Sequence, residues 1–404
     1  MAKKSREPQL PVSKKRAKEH AILAMRRAWA GDTREFKAWN KYQIDPEPLV
    51  IYDLNGQILF YEFTIKDAKK VVGSIKTAAS KIIGAPVVTM EFGERSWDAD
   101  KATKAAKKQF KKLFPNATVK ETELVCYSYP KIGIRVFFNK DKNVIFDIAS
   151  MELIERYASD ASDDFACRSF YTDISESDAR NREKKWDIAD KELEQIRATT
   201  PKALQTDVSA RDVVKLKDSL LLQPSWEIPT NIMIPATRSK TLRFSPRCSA
   251  HECFELVAQQ TSVYCAVATG QMILDFYRYH YTQDEIATAM STGAGGTTNP
   301  NQVNGYESLS NNALDATYDG SANWVEARNE INANRPLKSG ISGHARACAG
   351  WKQEQIYMLG KTPKRWLKIY DPWPWNANIC KGGRVYWESW DAVNHTNFIY
   401  VRHS

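Results

Sequence analysis

The side chains that thiol chemistry needs all occur between residues 259 and 371. Cys265 heads "CAVATGQMILDFYRYH", an apolar stretch with no proline and only Gly270 as a weak helix former. A cysteine at a helix N-terminus feels the positive end of the dipole, which favours its thiolate. Its own N–H has no partner within the helix and is free to face an oxyanion. Gln259 and Gln260 stand six and five residues earlier, where a side-chain amide can reach over the helix start as a second oxyanion donor. His344, in "PLKSGISGHARACAGWKQ", follows Gly340 and Gly343 as at a strand start beside a cleft, and is the candidate base. Asp371 ends "RWLKIYDP". Its carboxylate could accept the Nδ1–H of that histidine, leaving Nε2 to take the thiol proton, with Trp373 or Trp375 keeping water away. Each residue alone also has an ordinary structural reading: a small core cysteine, a solvated glutamine, a structural histidine, an aspartate that starts a turn before proline. Their joint occurrence, in this order and on these local structures, is what points to a site.

The stretches "QQTSVYCAVAT", "GHARACAGW" and "YDPW", in the order Cys, His, Asp and separated by only 79 and 27 residues, resemble the papain-like cysteine peptidases. More narrowly they look like compact members, the bacteriocin-leader peptidases of the double-glycine type and the staphopain-like bacterial effector proteases. The resemblance spans about 245–404. It implies Cys265 as nucleophile, His344 as general base and later acid, Asp371 as the orienting acid, and Gln259 or Gln260 at the oxyanion. It further implies a peptide or protein substrate and no cofactor. Ala266 stands after the nucleophile where relatives commonly have Trp or Gly, and the doubled glutamine leaves the oxyanion residue open. The same four groups would serve a papain-fold acyltransferase, transglutaminase or amidase, because all proceed through a thioester. A catalytically silent binding module that keeps the fold is the third class.

To bring these residues together the chain needs a helix layer against an antiparallel sheet, an α+β fold of papain type, with Cys265 from the helices and His344 and Asp371 from the sheet. "TQDE" from Thr282 predicts a capping box with Glu285. "STGAGGTTNPNQVNGY" reads as a long loop bordering the groove, and 323–333 as a helix with Trp324, Ala327 and Ile331 inward. Strands are expected near 337–342, 344–351, 354–359, 365–370, 383–388 and 396–402. Other chemistries find less support. Cys248, His251 and Cys253 lie close together but lack a paired second cluster, so no metal is expected. "GAGG" is followed by no Lys with Ser or Thr, which excludes a phosphate loop.

Upstream, residues 48–155 read as a separate small α+β domain. "LVIYDLNGQILFYEFTI" predicts a hairpin turning at Asn55 and Gly56 in a type I′ turn; a helix is expected near 66–80, a strand at "PVVTMEF", then a helix with Ala102, Ala105, Ala106, Phe110 and Leu113 inward and two or three strands. Alanines on that helix, "LFPNATV" leaving it and the hairpin closing on "VIFDIA" resemble a PepSY-type domain, found in propeptides of secreted peptidases. The resemblance implies an inhibitory or chaperone-like partner within the chain, and so a zymogen. Residues 156–244 read as a linker with a charged helix near 182–198 and an extended, proline-punctuated segment at 225–247; 245–404 is the peptidase-like domain.

Charge and cysteines bound the rest. Of the net charge of +10, +8 falls in residues 1–43, with 12 Lys or Arg against four Asp or Glu. The body is nearly neutral, so no nucleic-acid partner is expected. The arm, 1–47, predicts a basic amphipathic helix over 13–40 with Ile22, Met25, Trp29 and Phe36 on one face, docked on its own protein or else on a membrane surface or partner. No apolar run is long enough to span a bilayer. The seven scattered cysteines argue against a disulfide framework and for a reducing compartment, and the basic start lacks an apolar segment of signal type. Together these predict a cytoplasmic protein or a chain trimmed of its leader.

Overall fold

The computed structural model describes residues 9–30, 39, 42–95, 97–139, 142–154, 167–199, 236–242, 254–355 and 363–404. Helix α1 (Lys14–Ala30) leads into strands β1 (Gln43–Ile44), β2 (Leu49–Asp53), β3 (Ile58–Asp67), β4 (Lys70–Ala78) and β5 (Val87–Phe92). Helix α2 (Ala99–Leu113), capped by Asp98 accepting from Lys101 N, is followed by β6 (Val119–Ser128), β7 (Lys131–Phe138), β8 (Lys142–Asp147), β9 (Leu153–Ile154) and helix α3 (Glu176–Thr199). The C-terminal half holds β10 (Ala236–Thr241), α4 (Cys265–Phe276), α5 (Gln283–Ala289), α6 (Asn299–Leu309), β11 (Leu314–Asp319), α7 (Trp324–Asn332), β12 (Leu337–Ile341), β13 (His344–Gln355), β14 (Lys364–Asp371), β15 (Arg384–Ser389) and β16 (His395–His403).

All of these strands belong to one sheet, in the order β11-β16-β12-β13-β14-β15-β5-β4-β3-β2-β6-β7-β8-β9, with β1 on β3 and β10 on β13. The halves join where β15 pairs antiparallel with β5, Tyr386 opposite Glu91 and Trp387 opposite Met90. Their cores join as well: Ile341, Trp366, Trp373, Trp387, Ala392 and Val393 are buried in the same cluster as Phe60, Phe63 and Phe110 of the N-terminal half. The expected separate N-terminal domain is thus corrected. A strand edge and three tryptophans that would otherwise face water are covered by it.

Docking of the helices follows the same logic. α1 buries Ala17, Ala21, Met25 and Ala28, the alanines allowing close approach to the strands; of the expected face Met25 is buried and Ile22 half-buried, while the Trp29 side chain and Phe36 lie outside the described residues. Its basic side chains meet α3: Arg16 contacts Asp190 and Glu194, and Arg27 contacts Glu192. Trp186 of α3 is fully buried in the shared core, so this part of the expected linker is packed structure.

Several local expectations change. Residues 66–80 hold the end of β3 and then β4, not a helix: Val71, Val72, Ile75 and Thr77 suit a strand, and pairing of β4 with β3 and β5 outweighs the local alanines and lysines. The Asn55–Gly56 hairpin exists, but only Gly56 takes a positive φ, at 85°, and Asp53 N bonds to Gln57 O, so the turn is longer than type I′. Leu113 is exposed while Ala102, Ala106 and Phe110 are buried. The long loop before Tyr306 is helical from Asn299, because Thr298 caps α6 and proline is tolerated in a first turn. Strand β11 was not foreseen. The capping box at Thr282 forms, and Trp324, Ala327 and Ile331 of α7 are buried. The strands expected at 344–351 and 354–359 are continuous through Gln355, and residues 356–362 lie outside the described residues. Cys380 is disulfide-bonded, against the expectation of reduced cysteines, whereas Cys126, Cys167, Cys265 and Cys348 are free. Cys248, His251 and Cys253 lie outside the described residues. Among the described residues no helix is long and apolar enough to cross a membrane.

Candidate active site

Cys265 opens α4. Its N-cap, Tyr264, makes no side-chain capping bond, so no side chain at the cap takes up the first-turn N–H donors. The helix is buried nearly throughout, and its start packs on the start of β13, with Cys265 and Ala266 clustered against Ala345. His344 precedes Ala345 and is placed by the two-residue turn between β12 and β13, where Ile341 pairs with His344. Gly343 in that turn takes a φ of 71°, a conformation that suits glycine. Asp371 closes β14, which is two strands from β12 in the sheet.

His344 Nε2 lies 2.7 Å from Asp371 Oδ1, and both side chains are fully buried. The sequence-based expectation had Nδ1 facing the carboxylate. The ring is turned the other way: Nε2 carries the proton given to Asp371, and Nδ1 is buried and makes no hydrogen bond among the described residues. His344 leads β13 while Asp371 closes the neighbouring β14, so the two side chains meet at one end of that strand pair. Burial pushes His344 down to about 4, against the opposing pull of Asp371 and with help from Lys131 and Arg346. At neutral pH the imidazole is therefore neutral, with a lone pair at Nδ1.

The Asp371 carboxylate is held on both oxygens. Oδ1 also accepts from Trp373 N at 3.0 Å; Oδ2 accepts from Tyr386 Oη at 3.0 Å and has Arg384 Nε at 3.5 Å. Burial alone would raise its pKa, but His344, Arg384 and Arg346 outweigh that and hold it well below the usual carboxylate range. Tyr386 in turn accepts from Arg346 Nη1 at 3.3 Å, and Arg346 is bound to Glu388 at 2.6 Å. Neither Tyr386 nor Arg384 was singled out in the sequence. Their spacing of two on a strand beginning just after the glycine pair 382–383 is the signal that could have found them, since i and i+2 share a face.

The two glutamines part company. Gln259 is fully buried, with its N bonded to Pro372 O and its O accepting from Asn376 N, which sets it against the loop leaving Asp371. Its Nε2 donates to Thr261 O at 2.7 Å, and Oε1 is buried with no hydrogen-bond partner among the described residues. Gln260 is only half-buried; its N is tied to Gln283 Oε1 at 2.8 Å. The loop holding Gln259 closes through Gly382, whose φ is 112° and whose added Cβ would come within 2.6 Å of Pro374 O. Trp373 is buried and Trp375 half-buried.

The N-terminal half reaches this site. Lys131 Nζ donates to Gly343 O at 3.4 Å, Arg384 Nη2 donates to Pro130 O at 3.0 Å, and Trp373 Nε1 donates to Asp147 Oδ2 at 3.1 Å. Tyr129 Oη donates to Glu388 Oε2 at 2.7 Å.

Residues 252–395 match the model of the Peptidase_C39 like family. A C39-like cysteine-peptidase domain occupies the C-terminal region. The match gives no support to the PepSY-type resemblance upstream. The peptidase domain of Streptococcus ComA, described as a bi-functional ABC transporter involved in a quorum sensing pathway, is similar over 37% of this chain and 99% of its own, at 15% identity and a TM-score of 0.27. At that score the assignment rests on the family match. No curated protein matches the chain.

Proposed function

We propose that this protein is a cysteine peptidase that cleaves peptide bonds through a thioester on Cys265 and is regulated by its own N-terminal region. The observation that carries the reading is the buried His344–Asp371 pair beside the uncapped helix start at Cys265, inside a domain of C39-like type. Asp371 fixes the Nε2–H tautomer, so Nδ1 accepts the thiol proton as sulfur attacks the substrate carbonyl carbon. The oxyanion is stabilised by first-turn N–H groups of α4 and by Gln259, which its burial favours over Gln260. The imidazolium then protonates the leaving amine, and water hydrolyses the thioester by the reverse proton path. Regulation is supported by burial: Cys265 is 1% exposed, and Lys131 covers the carbonyl next to His344.

The test is a thiol-directed activity probe on the full chain, followed by cleavage of a peptide library. Labelling at Cys265 that disappears in His344→Ala, with cleavage lost in Cys265→Ala, is expected. Lys131→Ala should increase labelling, by uncovering Gly343. Absence of labelling in both wild type and Lys131→Ala would sink the peptidase reading; equal labelling in the two would sink the regulation alone.

A further inference from the structure

We infer that Arg384 is a positioning residue for Asp371, and that the N-terminal half fixes Arg384 and so forms a lasting part of the site. The inference rests on the peptidase reading for the role of Asp371. Arg384 opens β15 directly opposite Asp371 on β14, so the sheet register itself sets the two side by side. Its guanidinium is 8% exposed and lies 4.9 Å from the Trp373 ring and 5.2 Å from the Tyr386 ring. Within that slot Nη2 donates to Pro130 O at 3.0 Å; Nε lies 3.5 Å from Asp371 Oδ2, a charge contact without a hydrogen bond, and Nη1 lies 3.7 Å from Glu91 Oε2. Two of its three anchors thus come from the N-terminal half: one from the β6–β7 turn, the other from β5, which pairs with β15 itself.

The hydrogen bond to Pro130 O and the stacking rings fix the guanidinium plane, and so fix where its charge stands beside Asp371. Charged and titratable groups around it are Asp371, Tyr386, Glu91, Glu62 and Lys76. Without Glu91 and Pro130 O the guanidinium is free to turn in its slot. Asp371 Oδ2 then keeps only Tyr386, and the carboxylate can swing from His344. A misplacement of about 1 Å in such a group can cost about a hundredfold in rate.

Positioning and plain charge predict different outcomes for Arg384→Lys, which makes the inference testable. The rate of Cys265 alkylation by iodoacetamide, located by peptide mass spectrometry, is measured against pH on the full chain for wild type, Arg384→Gln, Arg384→Lys and Glu91→Gln. If Arg384 acts by placing Asp371, its loss weakens the support of the imidazolium that forms when His344 takes the thiol proton. Alkylation at neutral pH then slows about tenfold in Arg384→Gln while the rate at high pH, where solvent removes the proton, is kept; it slows in Arg384→Lys despite the kept charge, and by less in Glu91→Gln. If Arg384 acts only as a charge, Arg384→Lys follows the wild-type profile. That pattern, or wild-type behaviour of Glu91→Gln, would overturn the inference. Glu91→Gln is nearly isosteric and keeps the test open should the arginine variants fail to fold. A His344→Ala variant alkylated at the wild-type rate at neutral pH would instead undo the peptidase reading, so the two failures are distinct.

Discussion

Acid should loosen this protein through two histidines that the fold buries uncharged. Burial pushes His344 down to about 4, and His395 likewise to about 4, from an ordinary value near 6.5. His344 faces Asp371, Lys131 and Arg346; His395 faces Glu388 and Arg346, stacks 4.5 Å from Trp390 and has Nδ1 3.2 Å from Ser339 Oγ. Because the folded values are depressed, the unfolded chain takes up the protons first. Stability is therefore fully present above about pH 6.5 and falls as pH drops toward 4. Between pH 7.5 and 4.5 each histidine removes on the order of 2 to 3 kcal/mol, a large share of the whole stability of many domains. Asp371, held low, adds its loss only at more acid pH. Glu91 and Asp53, held above the carboxylate range by burial, slope the other way, so the difference between variants isolates the histidines. Urea titrations of wild type, His344→Gln and His395→Gln at pH 7.5 and 4.5 should show each variant losing less stability than wild type over that interval, by on the order of 2 to 3 kcal/mol. Equal losses in wild type and His344→Gln would refute a buried neutral imidazole.

The glutamines offer a second check: Gln259→Ala should lower kcat by about a hundredfold or more, whereas Gln260→Ala should stay within a few-fold, both measured as turnover of a cleaved library peptide. A fragment starting at residue 236 should associate or precipitate in size-exclusion chromatography, since it bares the β15 edge and the Trp366, Trp373 and Trp387 side chains, each worth about 2 kcal/mol of burial; a stable monomer would contradict the shared core.

Much of the candidate site was legible because its placement is carried by local signals. A cysteine ahead of an apolar helix, a histidine after Gly343 and an aspartate before Pro372 each mark an element boundary, and those boundaries are where the structure puts all three candidates. Ring orientation was not legible: whether Nδ1 or Nε2 faces Asp371 depends on which ends of β13 and β14 meet, a fact of sheet register. That Gln259 rather than Gln260 is the buried one depended likewise on the 372–383 loop, whose Pro372 and Asn376 bond to its backbone. The β4 segment misled for a related reason, since its lysines and alanines favour a helix locally while strands on both sides decide otherwise.

The union of the two halves was beyond local reading altogether. No spacing in "RVYWES" announces that it will pair with "VVTMEF" some 290 residues earlier; only the geometry does. That union also changes what regulation can mean. A propeptide that leaves must give up its contacts without harming what remains, and here departure would strip the β15 edge and uncover three tryptophans. Within the β6–β7 turn, Tyr129 and Pro130 hold Glu388 and Arg384 through buried hydrogen bonds of 2.7 and 3.0 Å, whereas the Lys131 side chain meets Gly343 O at 3.4 Å. Moving the Lys131 side chain alone would uncover Gly343 O and leave both Pro130 and Glu91 on Arg384. A switch by the Lys131 side chain therefore costs less than release of the N-terminal half.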